Sequence, residues 1–467
     1  MPLEVVEGPE IVVGAPEWEN REWFPPGPQL AICLSGGKER LADLTDDELL
    51  QVAAAARRQT SWAQARELAA IAELTQRRTR AEADGDPDYR ILSAHESVTE
   101  EVAAALTVTG NTAATLVHRA EQLTGPLAET GAALEAGRVD MAKARVICDI
   151  TDSLPDQVTQ RVEAVALERA STQTTGQLRR RIKRVVQRLA PEAVEERRRE
   201  AVRQRRLELW ETAAGTADLA LCDLAPEDAH AVFNKITAAA HGIKADGDAR
   251  PLNLIRADLA TRLLNGAELP TAVQALLAQD EDAEPSAPTP AQVPDNNGDT
   301  TDTNTNTTDT TDTDTSTTVA ALAALLGQRL AHLRGRTPAA ELPAAVDQAV
   351  HRLTRRFAQR RDELCQGDDD QHGRPGYRPP ASLRREIEAR HATCVFPSCN
   401  QPSHRCDLDH TVPWRPGITC RCNLAPLCRR HHRLKQTPGW KLHHLWPGLL
   451  VWITPSGAWH IIRPDRQ

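Results

Sequence analysis

Apolar and polar positions recur at helical spacing through most of the first half of the chain. LLQVAAAARRQTSWAQARELAAIAELTQRR, EVAAAL, TAATLVHRAEQL, MAKARVICDITDSL, QVTQRVEAVALERAS and GQLRRRIKRVVQRL each carry an apolar stripe. That is the pattern of an amphipathic helix with one face on a core. Helix starts are marked as well. Thr45-Asp46-Asp47-Glu48 is a capping box, whose hydroxyl and carboxylate can satisfy exposed backbone amides. A further helix is expected to start near Ser93 to Glu96. One stretch breaks the period: RLELWE and DLALCDL alternate around the turn-like TAAGTA, so a hairpin is expected there. Helices resume at PEDAHAVFNKITAAAHGI and LNLIRADLATRLL, then over about Val319 to Leu333 and Pro343 to Glu363.

These patterns divide the chain. Residues 1–40 are rich in Pro and Gly and read as an irregular arm, followed by a helical domain over 41–279. Residues 280–318 are rich in Asp, Thr and Asn, with several Pro early on. Such a segment cannot bury enough apolar area to offset chain entropy and reads as a disordered acidic linker. Residues 319–373 continue the helical pattern, and 374–467 form a C-terminal domain where Trp, Cys, His and Pro become frequent. WKL, WPGLLVWI and AWHII there read as short strands, with Trp440, Trp446, Trp452 and Trp459 in a local core. The fold class is therefore mainly α, a multi-helix domain with a small hairpin, joined to a small C-terminal domain with strands.

Composition excludes several classes. The chain has 467 residues, room for about three domains. Aromatics are 3% and Ala and Leu dominate the apolar set, which argues against a large β-sandwich or barrel. No apolar run approaches the roughly 18 residues that a membrane span needs. MPLEVVEGPE lacks the basic and apolar regions of a secretory signal, so a cytoplasmic protein is expected. The net charge of −9 hides an asymmetry: Asp280 to Thr318 holds ten acidic residues and no Lys or Arg, whereas Arg374 to Gln467 has a net charge of +10. A basic unit on an acidic chain is the footprint of a polyanion-binding module. The mixed-sign run LRRRIKRVVQRLAPEAVEERRREAVRQRR reads as a solvated helix face.

Six of the ten Cys lie between Cys394 and Cys428. Clustered Cys beside His in a cytosolic chain points to metal rather than to disulfides. Cys394 and Cys399 form C-x4-C, and Cys428 and His431 form C-x2-H. Two such pairs can close a tetrahedral site of three thiolates and one imidazole, for which Zn²⁺ is the natural ion. Cys406, Cys420 and Cys422 are alternative ligands. Cys406 to His410 alternates and reads as a short strand, and Leu424 to Lys435 can form a helix. On that helix His432 is rotated by about 100° from His431. One helix can thus face the structural metal on one side and a cleft on the other.

Asp409-His410, Asn423 and His432, interleaved with zinc-ligand pairs, resemble the HNH motif of the ββα-metal endonucleases. YRPPASLRREIEARHATCVFPSC and CDLDH…NLAPLCRRHHRLK are similar to the C-terminal part of a bacterial HNH family whose N-terminal region is the helical domain of unknown function 222. EVAAALTVTGNTAATLVHRAEQLTGPLAETGAALEAGRVDMAKARVI resembles that domain. The chain departs from the family at His391, where Asp is usual, and at Pro416-Gly417, where Gly-Gly is usual. The resemblance implies a C-terminal ββα-metal domain stapled by structural Zn²⁺, and a divalent-metal-dependent endonuclease with DNA as partner. Asp409 and His432 would be ligands of a catalytic cation, Mg²⁺ or Mn²⁺. His410 would be the general base, and Asn423 would orient His410 or tie its loop. Arg390, Arg429, Arg430, Arg433 and Lys435 would contact phosphates. Cutting both strands with one such site calls for a homodimer or two successive events. The rival reading is a zinc-stabilised nucleic-acid-binding protein, or a helical scaffold with an inactive nuclease domain.

Overall fold

A computed structural model describes residues 24–35, 41–83, 91–266, 312–334, 336–366 and 376–465. They fall into two compact units, Met1–Lys183 with Asn306–Gln467, and Arg184–Thr305. Residues 280–311 of the acidic linker lie outside the described residues.

The first unit opens with α1 (Pro28–Leu34), inside the segment expected to be irregular. Pro at its first turn and a fully buried Leu30 explain the helix. The 38-residue α2 (Asp46–Ala83) starts at the expected box: Thr45 N donates to Glu48 Oε2 at 2.8 Å. It packs against α3 (Ala94–Leu106), α4 (Gly110–Thr124) and α5 (Ala128–Glu135). Ser93 and Glu96 form a second capping box at the start of α3. Every residue of α3 from Ser97 to Ala104 is buried. α6 (Met141–Thr151), α7 (Asp156–Ala170) and α8 (Thr175–Leu189) complete the helical layer.

In the second unit α9 (Pro191–Arg203) buries no residue, and Arg198 pairs with Glu195 and Glu227. The expected hairpin is present: β1 (Arg206–Glu211) and β2 (Ala217–Cys222) are antiparallel, with Leu207 opposite Leu221 and Leu209 opposite Leu219. α10 (Pro226–Ala245) and α11 (Leu252–Leu264) meet through Ala239, Ala240, Ile255 and Leu259.

The rest of the first unit holds α12 (Asp312–Arg334), α13 (Leu342–Gln366) and α14 (Ala381–Arg390). α12 begins within the segment read as unstructured. β3 (Asp407–His410) pairs antiparallel with β4 (Leu424–Leu427), followed by α15 (Arg429–Lys435). The sequence reading of one helix from Leu424 to Lys435 is thus corrected. LAPL is a strand buried at all four positions, and the helix starts only after Cys428. β5 (Lys441–Trp446), β6 (Leu449–Ile453) and β7 (Trp459–Ile462) form a meander. Its faces alternate along β6, as a strand requires. Leu449, Val451 and Ile453 pack on α12 and α13, while Leu450 and Trp452 pack on the Cys-rich segment and α3. No helix among the described residues is long and apolar enough to cross a membrane.

Candidate functional site

Cys394, Cys399, Cys428 and His431 come together with their ligand atoms all within 4.8 Å of one another. The donors arrive from three places. Cys394 and Cys399 lie in the turn after α14, fixed by Cys394 N donating to Gln401 O and Cys399 N to Phe396 O. Cys428 is the N-cap residue of α15 and His431 lies in its first turn. Val395 N donates to Pro426 O, which ties that turn to β4. His431 Nδ1 is 3.1 Å from Cys428 Sγ and 3.4 Å from Cys394 Sγ, so Nδ1 is the donor that faces the sulfurs. Phe396 stacks on the imidazole at 4.0 Å, with Trp452 edge-on to Phe396. Hydrogen bonds from Cys394 and Cys399, with His431 alongside, hold the Cys428 thiol far below its ordinary pKa. Three sulfurs and one nitrogen at this spacing, inside an apolar shell, can hold a metal ion and suit Zn²⁺. Cys406 abuts Cys394 but donates to the Pro402 carbonyl, and Cys420 and Cys422 sit together in the loop before Asn423.

The structure adds one residue that no local motif pointed to. Glu100 of α3, 331 residues upstream, accepts from His431 Nε2 at 3.2 Å and forms an ion pair with Arg430. It is 1% exposed. The available signal was a carboxylate inside an apolar helical stripe, which says that a partner exists without naming it.

Asp409, His410, Asn423 and His432 also converge. β3 ends at His410, so its last two side chains point opposite ways. Asp409 faces α15: its Oδ1 is 3.3 Å from His432 Nε2, and Lys435 pairs with its other oxygen. His410 faces the loop before β4, where its Nε2 lies 3.0 Å from Thr419 Oγ1. Thr419 donates its single hydroxyl hydrogen to Gly376 O at 2.7 Å, so toward His410 it can only accept. His410 therefore carries its proton on Nε2, and Nδ1 is the basic nitrogen. Nδ1 is buried without a hydrogen-bond partner among the described residues. Burial holds the His410 pKa below its ordinary value, and Asp409 only partly opposes that. Tyr377 packs on the imidazole, with ring centroids 5.2 Å apart. The Asn423 side-chain hydrogen bonds go to residues other than His410. Asn423 Oδ1 accepts from Thr411 Oγ1 and Val412 N, both at 2.8 Å, and its Nδ2 donates to Ile418 O. Of the two roles expected for it, tying the loop is the one its contacts match. Thr419 had no sequence signal, because its role depends on the fold of that loop.

The expected phosphate contacts divide. Arg390 is turned to Glu386 and the Arg421 carbonyl, with its side chain 16% exposed. Arg430 is paired with Glu100, and Lys435 with Asp409 and the His410 carbonyl. Arg433 donates to Ile91 O. Arg429 is 84% exposed, 3.4 Å from Asp407. Neighbouring carboxylates and carbonyls thus hold most of this positive charge within the protein.

A family model described as a domain of unknown function, DUF222, matches residues 55–283. Over 459 residues the chain is 30% identical to the uncharacterized protein Rv3776 of Mycobacterium tuberculosis, spanning 93% of this chain and 83% of that one. The uncharacterized protein Rv2100 of the same organism is 39% identical over 94 residues, 20% of this chain and 17% of that protein. No solved structure matches the chain. With the family model matched at residues 55–283 and a relative matched along nearly its whole length, the chain belongs to the DUF222 family.

Proposed function

We propose that the protein is a divalent-cation-dependent endonuclease that hydrolyses DNA phosphodiester bonds with an HNH-type site. The observation that carries this reading is the state of His410. It is a buried imidazole whose Nε2 proton is assigned by Thr419 and whose Nδ1 has no partner, one residue from the Asp409–His432 pair. Most buried polar side-chain atoms have a partner, so an open Nδ1 placed beside the Asp409–His432 pair suits a proton acceptor.

Asp409 and His432 suit a catalytic cation. Asp409 Oδ1 and His432 Nε2, 3.3 Å apart, would hold it. Such a cation, when bound, neutralises the scissile phosphate and stabilises the leaving oxygen. His410 Nδ1 takes the proton of a water as its oxygen bonds to phosphorus and the bond to the leaving oxygen breaks. Thr419 keeps Nε2 engaged and holds the imidazole plane through that transfer. Asn423 fixes the backbone that follows β3, and Lys435 holds Asp409 in place.

Plasmid nicking by purified protein tests the reading, with Mg²⁺, Mn²⁺ or EDTA and His410→Ala in parallel. Cation-dependent nicking that His410→Ala lowers at least 100-fold is expected for loss of a general base. Salt-sensitive DNA binding without any cleavage would replace the reading with a binding module.

A further inference from the structure

We propose that Glu100 of the DUF222 domain belongs to the metal site, holding His431 as an Nδ1 ligand, so that metal binding and docking of α3 reinforce each other. This inference rests on the Cys/His cluster alone and is independent of nuclease activity.

The geometry assigns each atom a task. His431 Nδ1 faces the sulfurs, and its Nε2 is 3.2 Å from Glu100 Oε2. An imidazole that ligates through Nδ1 must carry its proton on Nε2, and a carboxylate there fixes that tautomer and the ring plane. Glu100 has almost no solvent contact. An uncompensated carboxylate buried in that position is unfavourable, and it would lie beside a cluster whose three thiolates outweigh a divalent ion. Arg430, paired with the other Glu100 oxygen, supplies the compensating charge. This explains why Arg430, though half exposed, pairs with α3, and why a helix with eight consecutive buried residues contains acidic ones.

The contact is part of a longer interface. Ser97, Glu100, Glu101 and Ala104 share one face of α3 at helical spacing. Ser97 Oγ accepts from Trp440 Nε1 at 3.0 Å, Glu101 accepts from Ser456 N at 3.2 Å, and Ala104 packs among Cys394, Phe396 and Leu427. Of these four side chains Glu100 is the one that hydrogen-bonds a candidate ligand, His431. Ser97 therefore measures docking without the metal, and Glu100 measures both. By linkage, whatever Glu100 adds to metal affinity the metal returns to the docking of α3.

The test uses the full chain and zinc competition against a chromogenic chelator. Glu100→Ala should weaken zinc binding roughly 10- to 100-fold, the usual effect of removing such a partner. Glu100→Gln, which keeps an acceptor oxygen and the packing, should lose less. Ser97→Ala should leave zinc affinity unchanged while lowering the melting temperature. In a His431→Cys background, with no imidazole to orient, Glu100→Ala should no longer weaken zinc. Equal affinity for Glu100→Ala and the parent would overturn the proposal. So would an equal loss in Ser97→Ala, or the same loss when His431 is Cys. A parent that takes up no zinc would overturn the metal site itself, and the nicking assay would still stand as a separate test.

Discussion

At the scale of single residues, hydrogen atoms decide the chemistry. Thr419 has one hydroxyl hydrogen and gives it to Gly376, which leaves His410 with Nε2–H and a basic Nδ1. Thr419→Val keeps the shape and removes the acceptor. It should lower the nicking rate roughly tenfold to hundredfold with DNA affinity unchanged, and Thr419→Ser should restore the rate. A loss of affinity equal to the loss of rate would mean that Thr419 serves folding alone. His391 presents the opposite case, a buried imidazole with no catalytic neighbour. Burial, with Arg390 helping, pushes its pKa down to about 4, and its Nε2 has no hydrogen-bond partner among the described residues. Between that value and the ordinary 6.5 the unfolded chain binds the extra proton and the folded chain does not. Stability then rises with pH across this window. The contribution is complete above pH 6.5 and is lost as pH falls toward 4, amounting to at most about 3 kcal/mol. His391→Leu should flatten that slope in urea melts taken between pH 4 and pH 7, and an unchanged slope would show that His391 is not the group responsible.

At the scale of elements, what could be read in advance depended on whether local pattern or a distant partner decides. Capping boxes at Thr45 and Ser93 and the hairpin at Arg206–Cys222 are local, and the chain adopts them where the pattern places them. β4 was misread because LAPL is buried at every position, so it has no alternation to distinguish it from the helix that follows. Its pairing with β3 supplies the missing information, since Leu424 lies opposite His410 and Ala425 opposite Asp409. That register also resolves how two neighbouring residues serve one place. The strand stops at His410, with Asp409 turned to α15 and His410 to Thr419. The four candidate metal ligands were legible from spacing because each pair closes within a few residues. Glu100 was not, because the contact that gives it meaning spans 331 residues. The pairing of Arg390, Arg430 and Lys435 with Glu386, Glu100 and Asp409 was hidden for the same reason: sequence shows the charge and the fold supplies the carboxylate.

At the scale of the molecule, the Cys/His cluster links chain segments that sequence alone would assign to separate domains. Leu92 and Ala104 beside α3 share one apolar cluster with Cys394, Phe396, Leu427, Trp440 and Trp452. The other face of the β5–β7 meander belongs to a second cluster with α12 and α13. Metal removal should therefore act unevenly. Structural zinc contributes some 10–16 kcal/mol in small peptides that have no core of their own. Here the Trp440–Trp452–Phe396 packing and the second cluster remain without the ion, so local loosening is expected rather than global unfolding. Hydrogen exchange after treatment with a chelator should show protection falling together in residues 94–106 and 391–440, with α12 and α13 still protected. The coincidence of the first two is the decisive part, because α3 contributes no ligand and can respond only through Glu100 and the surface around it. If protection falls in 391–440 while α3 keeps its own, the helix is held by packing with α2 and α4, and the metal and the DUF222 domain are not coupled.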